Sequence, residues 1–476
     1  MKRKTYKLLF VIIALLTIAG TIRAQKKQSS EAVCKLGLQY QRSHVASWGK
    51  GYPVVISIMP NSSAEKAGVK EQDIIMEVDG ENTVKLSDEL LNNMLSDTGK
   101  SHQLKIKNKR HDAFETIVTH DCKPAGALTE RQMAEAFAFY SLEDMNERRL
   151  TYPFVYQIDQ SFDLLNVSTF AFAQSASENK VRDEKINKHI ANRLIALGMR
   201  ENTSNPDIII DNYYTMKPNT QILPVPDMPS NSWRYNFNTA QMDDLPLLPL
   251  GIPASAAPYE MKLGIRFANA KNKSQIVWKC EARELLSQSL SVETYAEYTV
   301  PVMMLEYPFV RTAKFPTYRF GIHRYNYTGI LYDKNDLSLI ADVESDSPAF
   351  KSGLRKGDRI LKINGIPMKK TNARGLSEDY IKFIDDTNQY RDLRREFTNS
   401  DRLAHCRYWN PNYYKNVAKE FNRKKYNTVF AYLFFFRPYI NKTEKNELVF
   451  EVMREGNEIP VIVKPVKMEE SVIIPD

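Results

Sequence analysis

Side chains that could carry a reaction are scattered along this sequence rather than gathered. The seven histidines stand at 44, 102, 111, 120, 189, 323 and 405, and no two are spaced as His-x-x-x-His. That removes the simplest helical zinc-hydrolase pattern. His120-Asp121-Cys122 holds the residue types of a thiol acyl-transfer site. Neighbours in sequence rarely face one another, so the plainer reading is the end of a strand. Asp207 with Asp211, and Asp385 with Asp386, are carboxylate pairs that lack a third ligand for a cation. Neither Gly-x-Ser-x-Gly nor a Gly-Asn-Ser-Gly turn occurs. Eighteen glycines in 476 residues leave little material for a phosphate loop. The expectation is a chain without catalytic residues, cofactor or metal.

The elements that would position any site show one clear order. NSSAEKAGVKEQDIIMEVDGENTV, from 61, matches SDSPAFKSGLRKGDRILKINGIPM, from 345, without a gap at an offset of about 285. Ser62 and Ser347 cap a short helix that Gly68 and Gly353 end in a left-handed conformation. Asp73 and Asp358 precede an alternating strand, and Asp79-Gly80 and Asn364-Gly365 follow as tight turns. Each copy therefore reads as strand, short helix, strand, turn, strand.

This order resembles the PDZ domain in its bacterial form, over 32–123 and 317–468. Leu36-Gly37-Leu38 and Phe320-Gly321-Ile322 fit the apolar-Gly-apolar loop with which PDZ domains hold a peptide's terminal carboxylate. Residues 86–97 supply a helix, and 448–466 a closing hairpin around Glu455-Gly456-Asn457. The resemblance implies a ligand strand added along 38–41 or 322–325, with backbone N–H groups facing its carboxylate. The implied binding residues are Leu36, Gly37, Leu38, Gln39 and Tyr40 with Leu86 and Leu90, and Phe320, Gly321, Ile322, His323 and Arg324. Gln72 stands where the second copy has Gly357. Cys34 and Cys122 bracket the first copy and would pair if its ends meet, Cys280 reads as a buried thiol, and Cys406 has no evident partner. An insertion at about 370–446 enlarges the second copy and ends in the aromatic run 426–440. That run is expected to be a buried strand, with a membrane or partner face as the alternative.

Between the copies, 124–154 reads as a helical connector and 155–305 as an α+β domain. Its Phe-Ala-Phe strand, its helix ending in Leu-Gly before Asn-Pro-Asp and its Ile-Val-Trp-Lys hairpin resemble the domain-of-unknown-function family 4136. Residues 217–258 hold eight of the 23 prolines, too many for regular structure. The fold class is thus α+β multidomain: two PDZ-like, partly open β-barrels with short helices around a central α+β domain.

The formal charge of +9 includes five cations within residues 1–24, leaving 9 − 5 = +4, which argues against nucleic acid. MKRKTYK followed by the apolar 8–19 reads as a signal peptide, 1–24, so the chain is expected to be exported to the periplasm or cell envelope. The expected partners are protein or peptide C-termini, with peripheral membrane or envelope-complex contact also open. A binding scaffold is the first reading. The alternatives are a PDZ-containing envelope protease with an unrecognised active site, and a structural envelope component with closed grooves.

Overall fold

The computed structural model describes residues 33–96, 100–111, 113–134, 146–176, 178–220, 232–397, 406–421, 423, 425–426, 428–433 and 446–476. The expected signal peptide, 1–24, lies outside them, as do 427 and 434–440 of the aromatic run. No helix among the described residues is long and apolar enough to cross a membrane.

The first repeat forms one antiparallel sheet. Its order is Leu38–Arg42, Pro53–Ile58, Ile74–Val78, Ser101–Lys107 and Phe114–Thr119. The Ser62 hydroxyl caps the helix Ser63–Lys66 by accepting from the Glu65 N–H, and Ser87 caps Asp88–Leu95 in the same way. Leu91, Leu104, Ile106 and Val118 fill a small core of its own. Val33–Lys35 pairs with Asp121–Lys123, which sets Cys34 opposite Cys122. Cys122 is disulfide-bonded.

A second set of side chains leaves this domain altogether. Val45, Trp48, Val54 and Ile74 belong to the core of the central domain. Trp48 sits on a loop bridging Leu38–Arg42 and Pro53–Ile58, and Lys109 lies over its ring while donating to the carbonyls of Leu164 and Val167. Gln72 keeps a left-handed backbone, φ +72°, where Gly357 has φ +89°. The strain is held because the Gln72 amide donates to the Leu305 carbonyl, tying the two domains together.

The central domain is a six-stranded sheet in the order Phe154–Ile158, Asn272–Leu286, Tyr259–Asn269, Ile208–Pro218, Thr169–Phe172 and Arg200–Glu201. The helix Lys180–Ala196 buries Ile186, Ile190 and Leu194, as its spacing predicts. The proline-rich stretch departs from expectation. Ser232–Asn236 and Gln241–Leu245 make a hairpin, because its prolines fall outside both strands.

Two further departures bear on the expected grooves. The connector does not begin as a helix: Ala127–Thr129 is a strand, and the helix starts only at Glu130. Nor does the second domain begin at 317. The long strand Thr317–Tyr327 is the middle of a three-stranded sheet, between Asn146–Thr151 and Val466–Pro475. Tyr318, Phe320 and Ile322 pack into the central core. The second repeat's own sheet runs Asn457–Val463, Leu448–Arg454, Arg359–Ile363, Asp336–Val343, Ile330–Asp333 and finally Ala127–Thr129. From its insertion, Thr428–Leu433 is a tight helical segment rather than a strand, and it buries Val429, Phe430, Tyr432 and Leu433 in that domain's core.

Candidate peptide grooves

In the first domain the loop at Leu36 and Gly37 is fixed by the short helix beside it. The Ala64 N–H donates to the Leu36 carbonyl at 3.0 Å and the Met59 N–H to the Gly37 carbonyl at 2.8 Å. Gly37 has φ +80°, and a Cβ there would lie 2.1 Å from Ser62 Cβ. Only glycine fits both the backbone and the space. Beyond it, Leu38–Arg42 is the edge of its sheet, and no strand among the described residues pairs with its outer side.

The helix Asp88–Leu95 stands across from that edge. Tyr40 donates its hydroxyl to Asn92 Oδ1, and the Arg42 guanidinium pairs with Asp88 and donates to the carbonyls of Gly51, Thr83 and Leu86. Burial raises the pKa of the Tyr40 hydroxyl above its ordinary value, with Asp88 adding to the effect. Gln39 is exposed on the other face of the strand, and Leu86 packs partly into the domain core. Leu90 does not line the cleft. It is 48% exposed and two residues from Asp88, so helical geometry turns it away from the face that Asp88 and Asn92 present.

The second expected site is not a site. Phe320, Gly321, Ile322, His323 and Arg324 lie on Thr317–Tyr327, a strand paired on both edges at Gly321, with Glu147 on one side and Val472 on the other. Through Ile322 a ligand strand has no free edge, and from His323 to Tyr327 the strand Val466–Pro475 holds one edge. Phe320, Ile322 and His323 are buried, and burial together with Arg131 pulls the His323 pKa down to about 3. Arg324 donates to the carbonyls of Thr239 and Ala240.

The loop that corresponds to Gly37 is at Gly329. Its φ is +88°, and a Cβ there would lie 2.2 Å from Ser347 Cβ. The same two bonds recur: Ala349 N–H to the Thr328 carbonyl at 2.8 Å and Glu344 N–H to the Gly329 carbonyl at 2.9 Å. The spacing hid it. Gly37 precedes Ser62 by 62 − 37 = 25 residues, but Gly329 precedes Ser347 by only 347 − 329 = 18. The first copy carries seven more residues there, in the segment that includes the Trp48 loop.

This second loop already holds a carboxylate. Glu130 Oε2 accepts from the Thr328 N–H at 2.6 Å and the Gly329 N–H at 2.9 Å. Its Oε1 accepts from the Thr328 hydroxyl at 2.5 Å and the Tyr432 hydroxyl at 2.6 Å. Burial pushes the Glu130 carboxyl up to about 7, against the pull of those four donors. Just before it, Ala127–Thr129 pairs antiparallel with Ile330–Asp333, Thr129 opposite Leu331 and Ala127 opposite Asp333. The sequence signal for this turn is Thr129-Glu130-Arg131-Gln132. Thr129 Oγ1 accepts from the Gln132 N–H and Gln132 Oε1 from the Thr129 N–H, a reciprocal cap that starts the helix at the loop.

The dispersed polar residues take structural roles. His120 places its ring nitrogens against the carbonyls of Lys100 and Leu95, and the disulfide of Cys122 leaves no thiol beside it. Asp207 accepts from Ser168 and Thr169, and Asp211 pairs with Arg266. Among the described residues no group of three or more His, Cys, Asp or Glu is placed to hold a metal.

The family comparisons divide the chain in the same way. A PDZ-domain model matches 25–107, the domain of unknown function DUF4136 matches 154–309, and a second PDZ-domain model matches 339–387. No curated protein matches. The crystal structure of a PDZ domain protein from Parabacteroides distasonis is 33% identical, with 94% of this chain and 100% of that one covered at a TM-score of 0.83. The PDZ domain of HtrA3 bound to the phage-derived ligand FGRWV is 21% identical over 21% of this chain and 94% of its own, with a TM-score of 0.18. Identity and coverage of that order with the Parabacteroides protein extend through both repeats and the middle, and the chain belongs to its family of PDZ-domain proteins.

Proposed function

We propose that this chain is a non-catalytic, exported scaffold whose first groove docks the C-terminal or extended segment of another protein by strand addition. PDZ domains are protein- and peptide-binding modules, which supports the general class. The observation that carries the finer reading is the outer edge of Leu38–Arg42. It lies beside a glycine loop and opposite a helix, and it has no partner strand among the described residues. An added strand gains main-chain bonds along that edge, while the loop amides meet its carboxylate. Export rests on the basic and apolar character of residues 1–24, and a periplasmic or envelope partner follows from it.

The test is hydrogen exchange on the mature protein with peptides ending in a free carboxylate, against the same peptides amidated. Protection is expected at 36–42. Because hydrogen bonds to a charged group contribute about 1.5–3 kcal/mol, amidation is expected to weaken binding by roughly tenfold or more. Protection at 36–42 by free and amidated peptides alike would remove the C-terminal reading and leave extended segments, and absence of protection by either would sink both. The Tyr40–Asn92 and Arg42–Asp88 contacts would then mark a closed, structural groove.

A further inference from the structure

The second groove is built like a receptor and occupied by its own chain. Two features of the occupant match what a protein C-terminus would present. Its strand runs toward the loop, Ala127 opposite Asp333 and Thr129 opposite Leu331, so residue 130 arrives where a terminal residue would. Its carboxylate takes two backbone N–H groups and two hydroxyls at Thr328, Gly329 and Tyr432. The helix that follows fills the apolar space beside the loop: Met133 and Ala134 are buried in the cluster that holds Tyr325, Ile330 and Tyr332.

One feature does not match. The carboxylate belongs to a side chain, and the backbone turns away into the capped helix at the point where a ligand would end. The occupant is therefore a substitute that meets the loop's hydrogen-bonding demand without being a terminus. A buried, empty loop would leave N–H and hydroxyl donors unsatisfied, so the substitution stabilises the closed form. The ladder it makes is only three residue pairs long, and Ala127, Leu128 and Thr129 are each only half-buried.

We propose that the second groove is a receptor for a protein C-terminus, kept closed by the chain's own residues 127–134, which an incoming tail displaces. The ligand is a free carboxylate on an extended strand with an apolar last side chain. The inference takes its ligand class from the docking reading of the first groove, but it concerns a different site. Displacement also releases Arg131 from Glu470, an ion pair that braces the segment.

The experiment uses the whole mature chain and a mixture of hexapeptides with free C-termini ending in Val, Leu or Phe, with amidated twins. Binding is read by anisotropy and located by hydrogen exchange. In Glu130→Gln and Glu130→Ala the free-carboxylate peptides are expected to bind at least tenfold tighter than in wild type. Protection should appear at 328–333 and exchange should quicken at 127–134. Wild type under saturating peptide should show the same quickening, which keeps the test valid should a variant fold poorly. No gain of binding at 328–333 in the folded variants, or unchanged exchange at 127–134 in wild type at saturation, overturns the proposal and makes the segment permanent packing. Protection at 36–42 is read separately, so failure at one groove is distinguishable from failure at the other.

Discussion

Gly329→Val is expected to destabilise the second domain by about 3 kcal/mol or more, whereas Gly321→Ala costs about 1 kcal/mol. The two glycines look alike in sequence but differ in what surrounds them. At Gly329 the backbone is left-handed, φ +88°, and an added Cβ meets Ser347 Cβ at 2.2 Å, with the Tyr327 hydroxyl at 3.0 Å. Ser347 cannot yield, because its hydroxyl caps the helix Pro348–Lys351. Strain and overlap therefore add. At Gly321 the backbone is not left-handed, and the only close atom is the far end of the His323 ring, 2.9 Å away. That ring moves at modest cost. Hydrogen exchange resolves the outcome by domain, which matters because a chain of several domains need not unfold in one step. Equal losses for the two variants would mean that the loop has been placed wrongly.

Arg311→Met is expected to cost about 3–5 kcal/mol, and adding Glu306→Gln, which keeps an acceptor for the Tyr318 hydroxyl and the Arg311 N–H, to recover most of it. Glu306 is 1% exposed. It pairs with the Arg311 guanidinium and accepts from the Arg311 N–H at 2.5 Å and the Tyr318 hydroxyl at 2.9 Å. This knot holds the chain as it passes from the central domain into Thr317–Tyr327. Removing the cation leaves a buried carboxylate without its counter-charge. Removing both charges takes away that penalty and leaves the volume filled. Urea unfolding of the four proteins of the cycle gives the answer. A single-variant loss below 1 kcal/mol would show the pair to be far better solvated than its burial indicates.

What the sequence carried well was local. Serine caps, the Asp79-Gly80 and Asn364-Gly365 turns and the apolar face of Lys180–Ala196 are set by neighbours a few residues apart. The first loop was legible for the same reason, since Leu36-Gly37-Leu38 adjoins an edge strand. The second loop was not, because a seven-residue difference upstream of Ser347 broke the offset. An apolar-Gly-apolar triplet at 320–322 then stood in its place. No pattern within Thr317–Tyr327 shows that Asn146–Thr151 will cover one edge from 317 to 322 and Val466–Pro475 the other; that is a property of the whole topology. Nothing local marks Glu130 as a groove residue, because the apolar stripe beyond it reads as a helix. The cap at Thr129 and Gln132 was the available sign that the helix starts late. The helix Val292–Met303 is signalled only by its Ser291 cap, and Pro301 in its last turn works against that signal. The hairpin at 232–245 shows that proline count over a long window says little about segments between the prolines.

Only Pro124, Ala125 and Gly126 separate the strand Asp121–Lys123 of the first domain from the strand lying in the second groove. So short a leash keeps the internal ligand at an effective concentration on the order of millimolar. A visiting tail therefore competes with a resident that never diffuses away. If the groove stood open about one part in a hundred, an intrinsic micromolar affinity would read as roughly 100 µM. Abundant weak tails would be ignored, and the rate of capture would level off at the rate of opening however much ligand was supplied. Such a groove works as a threshold detector rather than as a sponge. A fragment that begins after residue 134 would lack the resident segment and would report an affinity that the whole chain never shows.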